Sequence, residues 1–224
     1  MSAVVVVWPI GGRERSGGQM HWVVAAPYFE TAEDRWISDA VDGDEHRFTL
    51  VPRYGDDRNW HNSRARAGLG EWADRIRQAG QAVRAPGDGL ITAFPQLAAA
   101  VGAHQQIRRD RRPLVAWVFN TEGINSGLRR LVARASLRRV DRFVVHSSAE
   151  VEAYSQLLGL PAERFTFVPF QYGGDIETER PLGQDEPYVF TTGSAFRDYD
   201  TFFKAVDRLG YRTLVLSGTR ALAG

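Results

Sequence analysis

Apolar residues recur along this chain in two rhythms. Short unbroken runs, expected of strands buried on both faces, alternate with longer stretches where they return every three or four positions, as on amphipathic helices. The first run, MHWVVAAPYF from Met20, predicts a buried strand leading into a helix. Thr31 and Asp34 make a capping-box-like start to a helix whose stripe is Trp36, Ile37, Ala40 and Val41, with Gly43 as its stop. A strand is predicted over 46–51. Leu69, Trp72, Ala73, Ile76 and Ala79 then recur at helical spacing, and Gly80 closes that helix. A short strand over 89–93, a short helix over 96–101 and a fully buried strand over 114–119 follow, then a helix over 126–139 and a strand over 142–145. Ser147 and Glu150 stand at capping-box spacing ahead of Val151, Tyr154, Leu157 and Leu158, and Gly159 with Pro161 marks the end of that helix. Residues 165–168 read as the sixth strand.

Strands separated by helices need crossover connections, which make the sheet parallel and cover both of its faces. The fold class is therefore α/β, a doubly wound, Rossmann-like parallel sheet. A boundary falls at 173–187, where glycine, proline and charge mix without an apolar period. Beyond it a strand over 188–192, a helix capped by Asp198 with Phe202, Ala205, Val206 and Leu209 inward, and a strand over 213–217 open a second domain. The expected organisation is an extension or extra strand over 1–19, a first domain over 20–172, a linker over 173–187 and the start of a second domain over 188–224. So short a second segment cannot close a Rossmann-type domain of usual size, so the chain is expected to be truncated within it.

Composition changes this picture little. The 224 residues are 43% hydrophobic and 25% charged, with a formal net charge of +1, an ordinary globular balance that gives nucleic acid no overall pull. With no cysteine there is no disulfide framework, thiolate metal site or cysteine nucleophile. The 5 histidines lie without metal-motif spacing, so no metal site is expected. The apolar run over 3–10 is too short to span a bilayer and lacks the flanks of a signal segment, which predicts a cytoplasmic protein.

The segment VDRFVVHSS, then a helix, then LGLPAERFTFVPF, an acidic linker and PYVFTTGSAFRDYDTFFKAV resembles the domain crossing of GT-B glycosyltransferases of the group 1, family 4-like type. The matching positions are Ser147, the turn from Gly159 through Pro161 to Arg164, Pro169, Gly193 and Arg197. The resemblance implies transfer of a sugar from a nucleotide-sugar donor, with retention, to a glycan, lipid-linked or small-molecule acceptor that the residues do not identify. It implies no cofactor beyond the nucleotide-sugar co-substrate. It also implies that the paired-glutamate part of the donor site lies further into the second domain than this sequence reaches, which makes catalysis by this chain alone doubtful.

Under that resemblance, donor contacts fall on Gly193, Ser194 and Arg197. A glycine just past a strand lets backbone approach a diphosphate, the following helix N-terminus offers N–H groups, and a guanidinium pairs phosphate oxygens bidentately. The same segment also reads as a plain helix-entry loop with a surface arginine. His146 and Ser147, at the C-terminal end of a strand, face the expected ligand side or serve structure alone. Asn120 stands where relatives often place a histidine. It can hydrogen-bond a sugar hydroxyl but cannot be a general base, and Glu122 is the nearest ionisable group; NTEG reads equally as a turn capping the next helix.

Basic clusters leave further readings open. Arg108, Arg109, Arg111 and Arg112 are expected in a loop. Arg130, Arg134 and Arg138 form a stripe opposite an apolar side of Leu128, Leu131, Val132 and Ala135, and could attract anionic headgroups at the inner face of a membrane. The alternative is a solvated arginine face. RNWHNSRAR over 58–66 also resembles a segment of the glycosyltransferases that mannosylate queuosine in tRNA, against which the small net charge argues. The competing functional class is a non-catalytic α/β binding module with a basic face.

Overall fold

The alternation of buried side chains along Met20–Ala25 (β1) sets the architecture. Val23 and Ala25 enter one apolar cluster and Trp22 and Val24 another, so this strand is covered on both faces as a central parallel strand must be. The computed structural model describes residues 19–34, 46–54, 69–117, 119, 127–169, 188–193 and 198–216. Those up to 169 form one compact unit and those from 188 a second.

Among the described residues the first unit is a six-stranded parallel sheet. With β2 (His46–Val51), β3 (Gly89–Ala93), β4 (Leu114–Trp117), β5 (Arg142–Val145) and β6 (Phe165–Phe167), its strand order is β2-β1-β3-β4-β5-β6. Every pairing is parallel. The helices α1 (Leu69–Arg84), α2 (Pro95–Arg108), α3 (Gly127–Leu137) and α4 (Ser148–Leu158) supply the crossovers from β2 onward. The larger core packs them on one face of the sheet through Ala79, Val83, Leu97, Val101, Leu137 and Leu158 against Leu90, Leu114 and Phe143. The expected α/β class and parallel sheet hold.

Several boundaries move for physical reasons. Gly80 does not end α1, which runs on to Arg84 because Ala79, Ala82 and Val83 continue the buried face, while Trp72, Ala73 and Ile76 are exposed. Gly80 instead lies against α2, where an added Cβ would sit 3.4 Å from the His104 ring. The short helix expected over 96–101 extends to Arg108 and ends on Arg109 in the left-handed conformation, φ 56°. Of the strand expected over 114–119, Leu114–Trp117 is described as β4, and beyond it the buried Phe119 donates its N–H to the Val144 oxygen at 3.0 Å. The helix expected after Asp34, with Trp36, Ile37, Ala40 and Val41, lies outside the described residues.

In the second unit the described residues form β7 (Tyr188–Thr192), α5 (Tyr199–Leu209) and β8 (Arg212–Leu216), with β7 and β8 paired in parallel. Asp198 caps α5 as expected, its carboxylate accepting the Thr201 N–H at 3.0 Å. Phe202 and Val206 turn partly inward, but Ala205 and Leu209 are exposed, because two strands are too narrow to cover the whole apolar stripe. Tyr188, Phe190, Leu214 and Leu216 are exposed on the opposite face of the pair.

Candidate functional site

In a doubly wound sheet the ligand crevice lies beyond the C-terminal strand ends, where the strand order reverses. Here the reversal is between β1 and β3. The chain leaving β1 turns through Tyr28 and Phe29, and that leaving β3 turns at Phe94, whose ring meets Tyr28 edge to face at 6.3 Å. Phe94 has φ 67° and ψ 147°, a conformation that L residues seldom adopt, and hands directly to Pro95 at the start of α2. The buried Gln78 amide ties this edge together, donating to the carbonyl oxygens of Ala26 and Val51, both at 2.9 Å. Arg53 reaches Glu30 at 2.8 Å on the same side. Sequence reasoning did not single out any of these residues; the Phe-Pro pair directly after a strand was the available signal.

At the end of β5 the structure holds His146 and Ser147 together. The Glu150 carboxylate accepts both of their backbone N–H groups, at 3.2 and 3.0 Å, and the Tyr154 hydroxyl at 2.7 Å. This is the carboxylate arm of the expected capping box. The His146 Nδ1 lies 2.8 Å from the backbone oxygen of Val168, just past β6. A carbonyl only accepts, so Nδ1 carries the proton and, in the neutral ring, Nε2 is an acceptor. His146 is half-buried and Ser147 exposed. Asn120 and Glu122 lie outside the described residues.

In the second unit Gly193 follows β7 directly with φ 113°, a region that favours glycine. Its N–H donates to Leu216 at 3.0 Å and its oxygen accepts the Tyr199 hydroxyl. The first turn of α5 is already occupied, because Asp198 takes the Thr201 N–H and hydroxyl and Asp200 adds a second carboxylate. The backbone N–H of Thr201, followed by its hydroxyl, holds the Asp198 carboxyl below its ordinary range. This end of α5 is therefore less welcoming to an anion than a bare helix N-terminus. Ser194 and Arg197 lie outside the described residues.

The basic clusters are rearranged relative to expectation. Arg112 pairs with Asp110 at 2.7 Å and donates to the carbonyls of Val83 and Ala85 at the end of α1. Arg130 and Arg134 both donate to Leu157 at the end of α4, at 3.1 and 3.0 Å, and Arg139 donates to Asp110 at 2.8 Å. Guanidinium groups at helix C-termini satisfy orphan carbonyls and oppose the negative dipole end. Consequently α3 buries Ala133 and Leu137, whereas Leu131, Val132 and Ala135, expected on its inner side, are exposed. Arg108 lies in α2 rather than in the loop.

No protein-family model matches the chain, and no curated protein matches it. Solved structures do. The chain is similar to UDP-N-acetylglucosamine 2-epimerase from Rickettsia bellii, with a TM-score of 0.54 and 11% identity over 92% of this chain and 64% of that one. It is similar to the lipopolysaccharide outer core galactosyltransferase WaaB, TM-score 0.51, 10% identity, 91% and 63%. It is also similar to a UGT from Arabidopsis thaliana complexed with UDP-L-rhamnose, TM-score 0.51, 11% identity, 88% and 64%. At these identities the likeness is one of fold, that of the GT-B glycosyltransferases and a GT-B-like epimerase. The chain spans less than two thirds of the length of each. Among the described residues no helix is long and apolar enough to cross a membrane.

Proposed function

We propose that this chain is the greater part of a GT-B glycosyltransferase of the group 1 type, which binds a nucleotide sugar and transfers its sugar, with retention, to an acceptor held by the first unit. The observation that carries the reading is the order of parts. A six-stranded parallel β/α unit is followed in sequence by a second parallel β-α-β start, with a positive-φ glycine directly after its first strand. Each of the three similar structures is named for a sugar-transfer or nucleotide-sugar enzyme, and two of the names carry a UDP-sugar. Nucleotide-sugar binding is the part of the reading that transferase and epimerase share.

In this account Gly193, Ser194 and Arg197 receive the diphosphate. The glycine backbone allows close approach and the guanidinium neutralises the charge that grows as the sugar departs. The carboxylates of Asp198 and Asp200 shift this role from the helix N-terminus to the loop and Arg197. His146, Ser147, Asn120 and Glu122 are the acceptor-side polar groups. The boundaries at 173–187 and 188 separate the two binding halves.

A thermal-shift panel of nucleoside diphosphates and nucleotide sugars tests the reading on the full chain. Stabilisation by a uridine series that disappears in Arg197→Ala is expected. A panel without effect would favour the non-catalytic binding module.

A further inference from the structure

Residues 95–140 hold nine arginines against two acids, Asp110 and Glu122, an excess of seven positive charges in a chain whose net charge is +1. Asp110 is already committed to Arg112 and, through its carbonyl, to Arg139. Arg108, Arg109, Arg111 and Arg138 remain exposed. They cluster because α2 and α3 are locked together at their C-terminal ends. Gln106 donates to the Ala135 carbonyl at 2.9 Å, and Gly102 lies against Ser136 so closely that a Cβ would fall 2.4 Å from its carbonyl oxygen.

The same helices expose aliphatic side chains that the core does not take. Ile107 is 81% exposed, Leu131 63% and Val132 59%. With Arg130 and Arg134 drawn to the end of α4, the outer side of α3 is left apolar. Exposed aliphatic groups and exposed arginines on two helices held together at their C-terminal ends fit an anionic bilayer, where the aliphatic side chains enter the headgroup boundary and the arginines meet lipid phosphates. Single-stranded RNA would instead call for aromatic stacking platforms. Segments 106–111 and 130–138 contain no aromatic residue.

We propose that the α2–α3 surface, through Ile107, Leu131 and Val132 with Arg108, Arg109, Arg111 and Arg138, docks on an anionic lipid surface. The proposal does not depend on the donor reading. Sedimentation of the full chain with vesicles tests it. Binding is expected to mixed phosphatidylcholine and phosphatidylglycerol, to weaken with salt and to be absent with phosphatidylcholine alone. The double variant Arg108→Gln/Arg111→Gln should lose about fivefold per arginine, and Ile107→Ser/Leu131→Ser about tenfold. All of these side chains are exposed, and unchanged circular dichroism and melting would establish that each variant is folded. Vesicle binding that both variants retain would overturn the proposal. So would retention of a structured RNA with no vesicle binding.

Discussion

Nδ1 of His146 lies 2.8 Å from the backbone oxygen of Val168, which joins the end of β5 to the chain leaving β6. Asparagine can present a donor at nearly the same place, and alanine cannot. His146→Ala should cost about 1 kcal/mol and His146→Asn much less, measured by denaturant unfolding. If His146 also contacts ligand, His146→Asn should keep the stability and lose acceptor affinity. Equal stability loss in both variants would remove the hydrogen bond as the cause.

The α2–α3 contact makes a sharper demand. At Gly102 an added methyl would meet the Ser136 carbonyl oxygen, a backbone atom with nowhere to go, so Gly102→Ala should destabilise by about 1–3 kcal/mol. Gly80→Ala is the control. Its Cβ would stand at ordinary contact distance from the His104 ring, and alanine is the better helix former, so stability should hold or rise by up to about 1 kcal/mol. Thermal unfolding of the two variants side by side checks this.

Asp110 predicts a pH dependence. Burial raises its carboxyl pKa, but the side-chain and backbone hydrogen bonds from Arg112 outweigh that and hold the group below the ordinary carboxylate range. A folded pKa below the unfolded one means stability that is fully present above about pH 4 and lost as pH falls through the folded value. Asp110→Asn should cost about 2 kcal/mol at neutral pH and shrink toward no effect in acid. A difference that grows on acidification would contradict the assignment.

Asp198 bears on the donor site. Asp198→Asn retains a capping oxygen for Thr201 and removes the negative charge from the end of α5. Uridine diphosphate should bind about two- to fivefold more tightly to this variant if the phosphates sit beside Gly193. Calorimetry would show unchanged or weaker binding if they sit elsewhere.

The strand pattern was legible because period and punctuation agreed. Residues 20–25, 89–93, 142–145 and 188–192 carry mostly apolar runs between turn signals, 46–51 alternates polar with apolar positions up to Leu50 and Val51, and the parallel sheet followed from the crossovers. The faces of α3 were not legible. Arg130 and Arg134 have apolar stems and reach carbonyls across to α4, so an apolar count gave Leu131 and Val132 to the core and the arginines to solvent. Gly80 misled for a related reason, since a stop and a close helix contact use the same residue. The strained turn at Phe94 and the Gln78 bridge depend on neighbours distant in sequence, which no local pattern records. Of the expected ligand contacts, His146, Ser147 and Gly193 fall within the described residues, at strand ends in their separate units.

The central claim is that the loop after β7 receives the diphosphate of a nucleotide sugar. Backbone amide shifts of the isotope-labelled full chain, recorded as millimolar uridine diphosphate or a UDP-sugar is added, test it most directly. The account predicts changes concentrated at residues 193–198 and abolished by Arg197→Ala. Saturating changes confined to other residues, or a spectrum unmoved by any nucleotide, would contradict it.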